Sequence, residues 1–421
     1  MSAANRSIRF GGSDGRPASN LKTLSYIGIP VWIGLLVQPF IGSEGALALA
    51  VVTFLGGLLW RMAIRVSRSV QFRPQIGILL EETGRLIRVL SGWKPADRQR
   101  RALALTVTGA VLILPLVLNN YIIDVLTLAG IYVVLALGLN IVVGMAGLLD
   151  LGYISFYAIG AYSYALLSTR LGVSFWLALP LGGLAAAAFG VVLGVITLRL
   201  RGDYLAIVTL GFVQIVHLVL NNWDRVTNGP NGILNIGRPA FGTFVFSRPI
   251  HFYYLILAIV LLTVLAVDRL NRSRIGRAWI AIREDEIAAQ ATGVDTTRLK
   301  ILAFALGAIW AGIAGVFFAA KFAFVSPESF TFFESVIVLS MVVLGGMGSV
   351  PGVILGALIV VILPEVLREF ASYRMLVFGA VLVLMMIFRP QGLIGNPRRR
   401  VELQFQDEGR RLHMPMNGKR V

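Results

Sequence analysis

The sequence contains no cysteine, so it carries neither a disulfide framework nor a thiolate metal site, and its redox compartment cannot be read from it. Histidine is almost as scarce. His217, His251 and His413 are too scattered for metal-ligand spacing, and neither an HExxH nor a paired Cys/His pattern accompanies them; no metal is expected. There is no GxSxG nucleophile elbow and no carboxylate–histidine cluster, so nothing points to hydrolysis or group transfer. A GxxxxGK[ST] phosphate loop is missing too. The chain therefore has no recognisable cradle for nucleotide phosphates, and energy for any work must come from a gradient or a partner.

Charge is also thin. Only 14% of the 421 residues are charged against 57% hydrophobic, and mean hydropathy is +0.80, outside the range of soluble domains. This composition predicts an all-α polytopic membrane protein. Apolar stretches of roughly 17 to 25 residues can cross a hydrocarbon core about 30 Å thick. They fall at about 24–42, 45–62, 102–119, 121–143, 147–168, 174–198, 204–220, 252–268, 301–320, 333–346, 350–366 and 373–388. The tenth and eleventh are short and glycine-interrupted, so ten to twelve spans are expected.

Lysine and arginine outnumber the acids 38 to 21, but their positions make this a topological signal. With the N-terminus in the cytoplasm, 31 of the 38 basic residues fall in cytoplasmic segments. That asymmetry is the positive-inside rule, and twelve crossings put both termini inside. No nucleic-acid partner is expected; Arg398, Arg399 and Arg400 are placed to hold anionic headgroups of the lipid bilayer. Four regions follow: a disordered cytoplasmic start (1–23), a two-span extension with a cytoplasmic segment (24–101), the main transmembrane body (102–395) and a cytoplasmic tail (396–421). Within the second, Ile76, Leu80, Ile87 and Leu90 recur near helical spacing, as in an interfacial amphipathic helix or a linker with incidental periodicity.

Small residues at four-residue spacing (Ala186, Gly190 and Gly194; Ala308 and Gly312; Ala311 and Gly315) let membrane helices approach closely. Two glycine breaks recur about 200 residues apart, Gly144 to Gly147 and Gly345 to Gly352, with Gly346 and Gly348 inside the second. Unwound backbone at membrane depth is tolerated where protein buries it or a wet cavity lines it, so the pair points to a translocation path; the plainer reading is two turns between spans. Asp150, just past the first break, is an ionisable group inside the membrane. It is expected either to cap the following half-helix or to bind a cation or proton. Asn140, Tyr153, Ser155 and Tyr157 add polar groups that bind solute or join helices.

Arg277 to Ala291 interleaves Trp279, Ile280, Ile282 and Ile287 with Arg283, Glu284, Asp285 and Glu286. It reads as one short amphipathic helix, ended by Gly293 in the left-handed conformation, with Asp295 capping the next helix. A mixed-charge helix held between two spans suits docking of a soluble protein; the alternative is a plain connecting loop.

These residues resemble the permeases of bacterial branched-chain amino-acid ABC importers, specifically the M-type subunit. The resemblance is carried by Leu137-Gly138-Leu139-Asn140, Ala146 to Tyr153, Arg201 to Ile207, Thr227 to Gly232, Gly276 to Thr297 and Gly345 to Gly352. It implies an ABC importer permease-like bundle in the bacterial inner membrane. The implied partners are a homologous H-type permease, two ABC ATPase subunits that bind ATP and Mg, and a periplasmic amino-acid-binding protein. Glu286, Ala288, Ala289 and Gly293 resemble the EAA-type coupling motif, interrupted by Ile287. Asn228, Gly229, Pro230, Asn231 and Gly232 resemble the family's periplasmic loop, the expected receptor dock. Val213-Gln214 and His217 depart from the usual Gly-Glu and Arg. An ion-coupled secondary transporter using Asp150 is the alternative, and the family's urea and amide permeases leave the solute open.

Overall fold

The computed structural model describes residues 118–366 except 199, 201 and 243, together with isolated positions 112, 115, 379, 383 and 392–394. The expected spans at 24–42 and 45–62, the amphipathic segment before residue 101 and both tails lie outside them, as do those at 102–119 and 373–388 but for a few single positions.

The described chain is almost wholly helical. The elements are α1 Asn120–Leu139, a π-helical turn Asn140–Met145, α2 Ile154–Leu171, α3 Phe175–Thr197, α4 Asp203–Asn222, α5 Asp224–Thr227, α6 Pro249–Arg272, α7 Arg274–Glu284, α8 Glu286–Ala291, α9 Thr296–Phe322, α10 Phe332–Gly345 and α11 Val350–Val366. Among the described residues, six helical stretches are long and apolar enough to cross a membrane: Asn120–Met145, Phe175–Thr197, Asp203–Asn222, Pro249–Arg272, Thr296–Phe322 and Pro327–Gly345, with the shorter apolar Val350–Glu365 beside them. The chain is an all-α polytopic membrane protein. One boundary differs from expectation: the span read as starting at 147 begins at Ile154, because 146–153 is irregular backbone. Its Tyr, Ser and Thr content also keeps α2 out of the six.

Helix ends follow local chemistry. Pro249 opens α6, where a missing N–H costs nothing. Gly172 closes α2 in the left-handed region at φ 63°.

The small-residue ladders meet one another. A methyl on Gly190 would stand 2.8 Å from Ala308 Cβ, and one on Gly312 would stand 2.6 Å from the Gly182 carbonyl oxygen and 2.7 Å from Ala186 Cβ. Glycine thus lets α9 press backbone to backbone on α3, and the Gly160–Gly312 approach does the same against α2. Around this core α1 packs on α6 and α11, and α10 on α11.

The helix ends gather at two faces. At one lie the π turn, the α7–α8 segment and the α10–α11 junction. At the other, β1 (Ile233–Leu234) pairs antiparallel with β4 (Phe324–Val325), and β2 (Ala240–Phe241) with β3 (Phe244–Val245).

Candidate translocation and coupling site

The two glycine breaks, 200 residues apart in sequence, are in contact. The first is the π-helical turn Asn140–Met145, whose wider spiral ends with the Ala146 N–H donating to the Ile141 carbonyl. From this turn the buried Asn140 side chain reaches the second break, its Oδ1 accepting from the Gly348 N–H at 2.8 Å. Gly144 sits against the same amide, where a methyl group would stand 2.6 Å from the Gly348 nitrogen. Gly346 and Gly348, at φ 113° and 82°, occupy backbone conformations that side-chain-bearing residues rarely adopt. Gly345 packs directly on Gly352, where a methyl would stand 2.6 Å from the Gly352 carbonyl carbon.

The α7–α8 segment closes on this junction. The Arg283 guanidinium donates a short hydrogen bond to the Gly144 carbonyl. Its aliphatic stem covers Gly147, where a methyl would stand 3.0 Å from Arg283 Cβ. The expectation of one helix from 277 to 291 is corrected: Asp285, extended at φ −155°, breaks it into α7 and α8. The reason is local. Asp285 Oδ1 accepts from the Ile287 and Ala288 N–H groups at 2.8 and 3.0 Å, so the aspartate caps a new helix instead of continuing the old one. Gly293 ends α8 at φ 87°, and Asp295 caps α9 by accepting from the Arg298 N–H at 3.0 Å, both as expected.

Within the segment the side chains divide by direction. Trp279, Ile282 and Ala289 turn into the chain's own core. Trp279 Nε1 donates to the Leu299 carbonyl at 2.7 Å. Glu286 Oε1 accepts from Lys300 Nζ at 2.6 Å, with both side chains largely buried. Ile287 and Ala288 face outward, Ile287 at 67% exposure. The residues grouped by sequence as one docking surface therefore form an anchored side (Trp279, Ile282, Glu286, Ala289) and a presented side (Ile287, Ala288, Gly293).

The polar groups after the first break are sealed. Asp150 is fully buried; its Oδ1 accepts from the Gly152 N–H at 2.8 Å, and its Oδ2 has no partner among the described residues. The helix-cap expectation for Asp150 is corrected: α2 begins at Ile154 without a side-chain cap, and the aspartate closes a turn ahead of it. Thr209 on α4 steadies that turn, its Oγ1 accepting from the Leu151 N–H at 3.0 Å. Tyr153 donates to the Gly307 carbonyl at 2.9 Å. Ser155 Oγ and Asn140 Nδ2 are buried without partners among the described residues. Of the ten pathway candidates, only Gly147 is exposed. Among the family departures, Val213 is buried and Gln214 exposed, and His217 Nδ1 is buried without a partner among the described residues.

At the opposite face, Asn228 stands in the left-handed region at φ 62°, and its Nδ2 donates to the Gly232 carbonyl at 2.8 Å. Gly229, Pro230 and Asn231 form a 3-10 turn leading through Gly232 into β1. This loop borders a cavity of about 300 Å³, also lined by Thr169, Arg170, Asp224 and Arg225. Arg170 donates to the Arg225 and Val226 carbonyls at 2.9 and 2.8 Å.

Sequence reasoning passed over Lys300 and the pair Tyr132–Glu334, in which the tyrosine hydroxyl donates to Glu334 Oε2 at 2.7 Å. A signal was present. Glu334 is an acid inside the expected span 333–346, and the rule that singled out Asp150 applies equally to it.

Residues 121–387 match the family model described as branched-chain amino acid transport system / permease component. The chain is 48% identical to the high-affinity branched-chain amino acid transport system permease protein LivM of Escherichia coli K12, over 69% of this chain and 74% of that protein. The LivM protein of Salmonella typhimurium matches with the same identity and coverage. The LivH permease protein of the same Salmonella is 28% identical, over 64% of this chain and 93% of its own length. No solved structure matches. The chain belongs to the branched-chain amino acid transport permease family, as a LivM-type member.

Proposed function

We propose that this chain is one transmembrane subunit of an ATP-driven importer for branched-chain or related amino acids in the bacterial inner membrane. In this reading it pairs with an H-type permease, is driven by two ABC ATPases that hold ATP and Mg, and receives solute from a periplasmic binding protein at the Asn228–Gly232 face. The α7–α8 face is cytoplasmic by the charge rule.

The observation that carries the proposal is the chain of contacts from the presented Ile287 side of α7–α8, through Arg283, to the Gly144 carbonyl and onward through Asn140 to Gly348. A partner pressing on α8 moves both glycine breaks together. Asn140, Asp150 and Ser155 carry buried polar atoms without partners among the described residues, and such atoms cost roughly 1–3 kcal/mol each. A path closed at this face would bury them, and opening it would return them to water or solute.

Ile287→Asp tests the coupling. It places a charge in the proposed contact, which costs on the order of several kcal/mol where that contact is dry. Membrane expression is expected to persist while ATPase subunits no longer copurify and uptake is lost; intact association and uptake refute the coupling role. The same transport assay addresses the second reading, ion coupling through Asp150, favoured by its unpartnered Oδ2. ATP-driven uptake is expected to survive an ionophore while ATP is maintained, and collapse would favour ion coupling.

A further inference from the structure

A second intramembrane acid sits where the coupling scheme does not need one. Tyr132 lies at the middle of the Asn120–Met145 span, twelve residues from its start and so about 18 Å along the helix. It donates to Glu334 Oε2 at 2.7 Å, which places that carboxylate beside the middle of an apolar span. The remaining oxygen of Glu334 has no hydrogen-bond or ion-pair partner among the described residues. The lysine at the end of α9 does not serve it: Lys321 pairs with Asp124 Oδ1 at 3.1 Å. A carboxylate at this depth is costly unless a cation or a path of water meets it.

The surroundings are aromatic. Tyr157 is an electrostatic neighbour of both Tyr132 and Glu334, and its hydroxyl makes no hydrogen bond among the described residues. Its ring packs edge-on against Phe330 and Phe318, with centroids at 5.1 and 5.5 Å, and Phe318 and Phe330 stand 5.8 Å apart. Glu334 is neither sealed nor surface-exposed; it is half-buried. The neighbouring backbone is fixed, because Ser335 Oγ accepts from the Ile154 N–H at 3.3 Å and ties α10 to α2.

We propose that Glu334, oriented by Tyr132, receives the ammonium group of the transported solute, whose apolar side chain lies against Tyr157, Phe318 and Phe330. A carboxylate beside aromatic faces fits a primary ammonium joined to a small hydrocarbon group: the anion supplies the counter-charge, and ring faces attract both the cation and the alkyl chain. Urea and simple amides carry no such cation. The site thus separates amino acids from the neutral solutes that sequence left open. This inference rests on the reading of the chain as an amino-acid permease.

The test uses the complete importer reconstituted in vesicles, with radiolabelled leucine as the probe. Wild-type uptake checks the underlying reading; if wild type does not transport leucine, that reading fails before the variants are compared. In an active system, Glu334→Gln is expected to reduce uptake at least tenfold while receptor-stimulated ATP hydrolysis stays within twofold of wild type. Glu334→Asp, which keeps the charge, should recover a substantial part of the uptake, and Tyr132→Phe should raise KM more than it lowers kcat. Wild-type uptake by Glu334→Gln overturns the proposal. So does an equal failure of the Gln and Asp variants, or a parallel loss of ATPase stimulation and assembly, because each marks a structural carboxyl.

Discussion

Arg283 has two separable roles, because its stem packs on Gly147 while its guanidinium donates to the Gly144 carbonyl. Methionine reproduces much of the stem and removes the donor. A hydrogen bond to a charged group contributes about 1.5–3 kcal/mol, so Arg283→Met is expected to lower solute moved per ATP hydrolysed by about tenfold or more. ATPase subunits should still copurify, since the outward face at Ile287 is untouched. An unchanged ratio of transport to hydrolysis would remove Arg283 from the relay. The clasp beyond it has the same character: Asn140 Oδ1 is the acceptor for the buried Gly348 N–H, so a single side chain joins segments 200 residues apart. Glycine at 144 is required by closeness, since any side chain there would displace both Asn140 and the Gly348 amide.

At the scale of the element, α7 is anchored to the membrane body by Trp279, fully buried with Nε1 on the Leu299 carbonyl at 2.7 Å, beside Ile282 and Arg283. Trp279→Ala removes a large buried ring, a change that typically costs about 3–5 kcal/mol, and leaves the Leu299 carbonyl without this donor. The expected outcome is faster hydrogen exchange across 274–284 with loss of coupling, while Trp279→Phe, which retains most of the volume, should show a smaller effect. Exchange unchanged in the alanine variant would mean that other contacts hold the helix. The inward direction of Trp279 was not legible in advance, because alternating apolar and charged residues fit a helix that packs on its own chain or on a partner equally well. The split at Asp285 was hidden for a related reason: an aspartate amid helix-forming residues reads as part of an exposed face until its carboxylate is seen bonding the Ile287 and Ala288 N–H groups. By contrast, apolar length alone located α3, α4, α6 and α9 within a few residues. The small-residue ladders marked surfaces of close helix approach, because such approach leaves few alternatives to Gly and Ala, but that those of α3 and α9 meet each other is seen only in the structure. The π turn had no such signal. Nothing in Asn140–Met145 distinguishes six π-helical residues from a continued α-helix, and the link to Gly348 is long-range.

For the whole molecule, the arrangement divides into a face built from α7–α8 and the glycine breaks and an opposite face built from short strands and the Asn228–Gly232 turn. Arg269, Arg272, Arg274, Arg277, Arg283, Arg298 and Lys300 all fall between 268 and 300, and this density is what supports the proposed cytoplasmic position of that face. The proposed coupling and receptor-docking roles depend on this orientation, since an ATPase could reach α8 only from inside and a binding protein could reach Asn231 only from outside. A chain without cysteine permits a direct check. Gln290 and Asn231 are both exposed, one on each face, so single cysteines there leave the packing undisturbed. With a membrane-impermeant thiol reagent, intact cells are expected to label Asn231→Cys and spare Gln290→Cys, whereas inverted vesicles reverse the pattern. Labelling of Gln290→Cys in intact cells would turn the molecule over. It would separate α8 from any cytoplasmic ATPase and leave the contact between the two glycine breaks as a structural joint at the outer face.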